Sequence, residues 1–115
     1  MRKKGYKGRC RKKKLAKCRD VCRTYDDIQF AYADLLNERE DILEFTCNVP
    51  LEGLSAGEYT TDFVCVKNDE DMMIRECVQR THLMKPLTVR LLDLSREYWT
   101  KRGVTDWGLV INAEK

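Results

Sequence analysis

The chain has 115 residues, 43% hydrophobic and 36% charged, with six cysteines, one histidine and a net charge of +3. That composition fits one globular domain with a single real core. No run approaches the ~18 apolar residues of a membrane span, and no apolar stretch follows the basic start, so the expectation is a cytoplasmic protein with reduced thiols and no membrane partner.

Residues 1–24 form a basic, cysteine-containing arm. They hold 12 Lys or Arg and one acid, Asp20, whereas the remaining 91 residues hold 10 basic and 18 acidic side chains. A basic arm on an acidic body points to a polyanion, with nucleic acid as the expected partner and DNA ahead of RNA. The candidate contacts are Lys3, Lys4, Lys7, Arg9, Arg11, Lys12, Lys13, Lys14 and Lys17. The competing reading is an arm that docks on its own acidic body. Residues 1–14 have little apolar content, so they are expected to be mobile without a metal or a nucleic acid. Residues 15–23 are expected as a short helix. Cys18 and Cys22 have a spacing tolerated by structural zinc. Cys10 is a third candidate ligand, and Cys47 or His82 a fourth.

Residues 25–115 read as the folded domain. Thr24-Tyr-Asp-Asp27 has the pattern of a capping box with Thr24 as N-cap. The helix behind it is predicted to run to about Glu40, with Ile28, Ala31, Tyr32, Leu35 and Leu36 as its apolar stripe and Gln29 beside that stripe. Residues 42–49 read as a strand ended by Pro50, and 51–57 as a loop. Residues 58–67 and 72–80 read as a β-hairpin around the turn residues Asn68-Asp-Glu-Asp71. Pairing Val66 with Met72, Val64 with Ile74 and Asp62 with Glu76 keeps one face apolar; a slip of one residue would set Val64 against Arg75. In that register two carboxylates lie side by side at the end of an apolar face. A basic side chain or a divalent metal is the usual relief, and solvation at the sheet rim is the alternative.

Residues 79–85 form an irregular link. Pro86 fits the first turn of a second helix, predicted to end at Gly103 with Leu87, Leu91, Leu94 and Tyr98 along one stripe and Leu92 and Trp99 beside it. Residues 107–111 are a continuous apolar run, read as a strand buried on both faces. The fold class is therefore α/β: an αβββαβ core with a mixed sheet flanked by helices.

That order, with an Asp in the second strand and a Glu in the third, resembles the restriction-endonuclease-like core. More closely, Tyr59-Thr-Thr-Asp-Phe63, Arg75-Glu-Cys-Val78, Tyr98-Trp99, Gly103 and Trp107-Gly-Leu-Val110 resemble the N-terminal catalytic domain of TnsA-type transposon endonucleases, over about residues 25–112. The resemblance implies a mobile-element protein that cleaves DNA with Mg²⁺ or Mn²⁺. Asp62, Glu76 and the backbone carbonyl of Cys77 would hold the metal. The sequence departs from the family twice. Gln29 stands where the first helix should bring a Glu, and Val78 stands where a Lys should help position the attacking water. Arg80, two positions on, is the candidate replacement for that cation. The implied alternatives are a divalent-metal endonuclease and an inactive nuclease-fold protein. The latter would bind nucleic acid and act as a recombination accessory or as an inhibitor of a host nucleic-acid-targeting nuclease, with a recombinase or nuclease as its protein partner. No Gly-x-Ser-x-Gly, P-loop or dinucleotide fingerprint is present.

Overall fold

The computed structural model describes residues 10–51, 53 and 59–111. Its elements are β1 (Arg11–Lys13), β2 (Cys22–Thr24), α1 (Asp27–Glu38), β3 (Ile42–Leu51), β4 (Tyr59–Lys67), β5 (Met72–Val78), a 3-10 turn (Arg80–His82), α2 (Pro86–Lys101) and β6 (Asp106–Ile111). The expected αβββαβ order runs from α1 to β6. The main sheet has the order β3-β4-β5-β6, with antiparallel pairs up to β5 and a parallel β5–β6 pair. Helix α2 carries the chain across the sheet, as a parallel connection requires.

The hairpin register is the one that keeps its faces sorted: Val66 pairs with Met72, Val64 with Ile74, Cys65 with Met73 and Phe63 with Arg75. Alternation then divides the side chains between two cores. Phe63, Cys65, Met73 and Cys77 pack with Ala33 and Leu36 of α1, together with Ile42, Phe45 and Cys22. Ile74, with Val64 and Met72 at the margin, packs with Leu91 and Trp99 of α2 and with Leu51, Tyr59 and Val104. The sheet thus has one helix on each face.

Several local expectations are corrected. Thr24 is not the cap of α1. It belongs to β2, and its hydroxyl donates to the Arg11 carbonyl at 3.3 Å. Asp26 caps the helix instead, its Oδ1 accepting the Gln29 N–H at 2.7 Å. The buried face of α1 is Gln29, Ala33 and Leu36, while Leu35 is 49% exposed. A hydropathy stripe cannot find Gln29, because an amide satisfied by internal partners takes an apolar position. In α2 the buried face is Thr88, Leu91, Leu92, Ser95 and Trp99, and Leu87 is 52% exposed. Here too a polar residue, Ser95, takes the centre of the face. Strand β6 is not buried on both faces: its residues are half-buried, with Leu109 exposed, and among the described residues it pairs with β5 alone. Pro50 does not end β3, which continues to Leu51. Edge strands tolerate proline because one side of the strand needs no donor.

The expected helix over 15–23 is absent. Strands β1 and β2 pair antiparallel as a small ribbon, and the turn between them lies along the free edge of β3. The Phe45 N–H donates to the Lys17 carbonyl at 2.9 Å, and the Arg19 N–H donates to the Phe45 carbonyl at 3.0 Å. An edge strand offers unpaired donors and acceptors, and here residues 17–19 take those of Phe45. From Cys10 onward the arm is therefore packed on the body. Among the described residues, no helix is long and apolar enough to cross a membrane.

Candidate functional site

The hairpin ladder between β4 and β5 stops at the Phe63–Arg75 pair. Beyond it, side chains replace backbone bonds. The Asp62 N–H donates to Glu76 Oε1 at 3.1 Å, and the Cys77 N–H donates to Asp62 Oδ2 at 2.7 Å. Each carboxylate thus accepts a backbone donor from the opposite strand. The other oxygen of Glu76 accepts from Ser95 Oγ at 2.7 Å, and Ser95 Oγ in turn accepts from Trp107 Nε1 at 3.1 Å. Glu76 is 0% exposed and Asp62 3%. The pair does lie side by side at the end of the apolar face, and the Asp62 and Cys77 N–H groups and the Ser95 hydroxyl are among its donors. Burying a carboxylate is costly unless such donors are in place.

Gln29 reaches this region from the opposite face of the sheet. Its Oε1 accepts the Tyr25 N–H at 2.9 Å, and its Nε2 donates to Asn48 Oδ1 at 2.9 Å and to the Asp62 carbonyl at 3.5 Å. It therefore touches the main chain of Asp62. Asn48 adopts φ +57°, a left-handed conformation that Asn tolerates, and its Nδ2 donates to the Arg23 carbonyl at 2.8 Å. Val78 is buried at the end of β5. Arg80 does not continue the strand face of Glu76 and Val78. The strand ends at Val78, and Arg80 is exposed in the 3-10 turn. Arg75, on the α1 side of the sheet, pairs with Asp106 at 2.9 Å. A cavity of about 210 Å³ lies beside Cys77 and Val78, lined also by Tyr25, Asp26, His82 and Thr88; neither Asp62 nor Glu76 lines it.

The second site is a thiol cluster. Docking of residues 17–19 on β3 sets Cys18 beside Phe45 in a parallel bridge, and the ribbon brings Cys22 against Cys47. The Cys22–Cys47 Sγ distance is 3.3 Å and the Cys18–Cys47 distance is 4.0 Å. All three sulfurs lie within 4.8 Å of one another, and the group can hold a metal ion. Hydrogen bonds from the Cys22 and Cys47 thiols, helped by the Asp20 N–H, pull the Cys18 thiol down to about 3 against the effect of burial. The hydrogen bond with Cys18 pushes Cys22 up to about 12. Cys47 is raised by its bonds to both neighbours and by burial. Cys10 and His82 lie outside the group: Cys10 faces the Tyr25 hydroxyl, and His82 belongs to the cavity beside Val78. Cys65 is a core thiol, pushed up to about 12 by burial.

The third feature is the ribbon's charge. Its inner residues are committed to the body. Arg11 pairs with Asp27 at 2.6 Å and stacks on Phe30 at 4.0 Å. Lys13 pairs with Asp34 at 2.7 Å and lies 3.7 Å from the same ring. Lys17 Nζ donates to the Arg39 carbonyl just past the end of α1, where a cation is favoured by the helix dipole. The outer residues differ. Lys12 is paired across the ribbon with Arg23, and both are exposed, as are Lys14 and Arg19. Lys3, Lys4, Lys7 and Arg9 lie outside the described residues.

Sequence reasoning missed Ser95, Trp107 and Asn48. Ser95 did carry a signal, since it sits i+4 from Leu91 and i−4 from Trp99 on an otherwise apolar face. Asn48 carried none, because its role depends on strands and a helix far apart in the chain. Among known proteins, no family model matches this chain and no curated protein matches it.

Proposed function

We propose that this is a mobile-element protein that binds nucleic acid, DNA in preference to RNA, on a TnsA-like nuclease fold. The outer face of the β1–β2 ribbon is the contact surface. One observation carries the reading: Lys12 faces Arg23 directly across the ribbon, with Lys14 and Arg19 exposed nearby. Like charges opposite each other destabilise a strand pair, and a phosphate backbone laid over them removes that cost and releases counterions. In this reading the three-cysteine cluster takes zinc. Glu76 is a buried structural acid, and chemistry on the nucleic acid belongs to a recombinase or nuclease partner.

The test is anisotropy of labelled duplex DNA and of RNA against salt. Binding should weaken linearly in log salt. Lys12→Ala and Arg23→Ala should each lower the slope by about 1 without changing sequence preference. Binding indifferent to salt overturns the reading.

A second reading, the divalent-metal endonuclease, is favoured by one arrangement: Asp62, Glu76 and Cys77 share the splayed end of the hairpin, with Gln29 against the Asp62 main chain. In it Asp62, Glu76 and the Cys77 carbonyl hold Mg²⁺ or Mn²⁺, which supplies Lewis-acid activation of water. Against it stands the use of both Glu76 oxygens by protein donors. Calorimetric titration of Mn²⁺ into metal-stripped wild type and Asp62→Ala separates the two. Specific binding lost in the variant establishes the metal site, and no binding in either supports the non-cleaving reading.

A further inference from the structure

The small ribbon is weak in itself and lies on the body through polar contacts at its margins. Its strands are three residues each, and an isolated two-stranded ribbon is marginal in water. Among the described residues, the arm gives the apolar core Leu15, Cys18 and Cys22. Its ion pairs reach solvent-facing partners: the Asp27 side chain is 96% exposed and that of Asp34 55%, so salt screens them. On its outer face Lys12 and Arg23 repel. Besides the Asn48 side chain, which donates to the Arg23 carbonyl, three side chains that link this arm to the sheet converge on one point. Cys18 and Cys22 come from the arm and Cys47 from β3, with sulfur separations of 3.3 and 4.0 Å for the two pairs that share Cys47. Thiolates bound to one tetrahedral metal at about 2.3 Å lie about 3.8 Å apart. The backbone N–H of Asp20 is also aimed at Cys18 Sγ, the kind of donor that supports a ligating thiolate. The cluster is reached through a cavity of about 190 Å³ lined by Cys18, Cys47, Asp20, Tyr25 and Asn48, which leaves room for water as a fourth ligand.

We infer that a single thiophilic divalent cation bound by Cys18, Cys22 and Cys47 is the staple that fixes the basic ribbon to the edge of the sheet, so that the outer basic face is assembled only in the metal-loaded protein. The consequence for nucleic acid rests on the function proposed above; the stapling does not. Both the arm's order and its charge display then follow metal supply.

The experiment uses the full chain, purified reduced, with Co²⁺ and Zn²⁺ as probes. One equivalent of Co²⁺ should give a sulfur-to-metal charge-transfer band that Zn²⁺ displaces. The band should be lost in Cys18→Ser and Cys47→Ser and kept in Cys10→Ser and Cys65→Ser. Because Cys47→Ser can unfold the sheet, wild type stripped with chelator is the second arm. Limited trypsin digestion then reads the ribbon directly. At free Zn²⁺ of about 100 times Kd, the open ribbon should be about 100-fold less populated and cleavage at Lys12 and Lys14 slower by the same factor. Cleavage in α2 should be unchanged. No stoichiometric binding, a Cys22–Cys47 disulfide in place of metal, or binding that leaves ribbon cleavage unaltered each overturns the staple. Anisotropy with duplex DNA is read last. A loss of affinity on chelation, restored by Zn²⁺, supports the full proposal. Ribbon protection with no affinity in either state keeps the staple and overturns the nucleic-acid reading instead.

Discussion

Glu76 shows what one residue demands of its surroundings. A carboxylate with no solvent exposure must be met by donors, and the structure supplies the Asp62 N–H and the Ser95 hydroxyl. Ser95 is in turn held by Trp107. Ser95→Ala removes a donor from the buried carboxylate and an acceptor from the indole. It should destabilise the fold by about 1–3 kcal/mol, read from urea denaturation. Adding Glu76→Gln should recover part of that loss, since a neutral amide is cheaper to bury; no recovery would show that the cost lies in packing. Gln29 follows the same logic. Its amide accepts one bond and donates two, so a carboxylate there would face the Asp62 carbonyl with no proton to offer. An amide, not a carboxylate, is what this environment accepts.

At the scale of elements, α2 ends as its sequence dictates. Gly103 has φ +84°. Its N–H donates to the Thr100 carbonyl at 3.0 Å and the Val104 N–H donates to the Trp99 carbonyl at 3.0 Å, while Val104 packs with Trp99 in the core. These are the two bonds and the apolar contact of a Schellman stop. A Cβ at Gly103 would meet nothing within 4 Å, so Gly103→Ala isolates backbone strain. It should cost about 1–2 kcal/mol in thermal or denaturant unfolding; a neutral result would mean that the turn relaxes. The ribbon is the contrasting case. Its local bonds are few, the Thr24 hydroxyl to the Arg11 carbonyl and the Cys18 N–H to the Leu15 carbonyl, and its position depends on the edge of β3, on Phe30 and on the cysteine cluster.

Across the whole molecule, the sheet is tied at one end by a charge network. Lys67 and Arg75 both pair with Asp106, at 3.0 and 2.9 Å, joining β4, β5 and β6. Burial works to raise the Asp106 carboxyl, but these two partners outweigh it and hold it below its ordinary range. A carboxylate depressed in the folded state stabilises at pH above its unfolded pKa, and that stability is lost as pH falls through the folded value. Asp106→Asn should therefore lower stability at neutral pH by about 0.5–1 kcal/mol, allowing for solvent screening. The gap from wild type should close in acid. A gap that stays constant with pH would assign the effect to packing.

The sequence by itself determined what depends on short-range pattern. Alternation and turn chemistry placed the hairpin in its register and set Asp62 beside Glu76. Proline and glycine bounded α2, and the order of periodicities gave an αβββαβ core with a mixed sheet. Tertiary structure decided which faces are buried, because Gln29 and Ser95 are polar by composition and become core residues only when their partners arrive from other elements. It also turned the expected arm helix into a ribbon. The choice there is made by the free edge of β3 and by Cys47, which lie 20 or more residues along the chain, beyond the reach of any local preference.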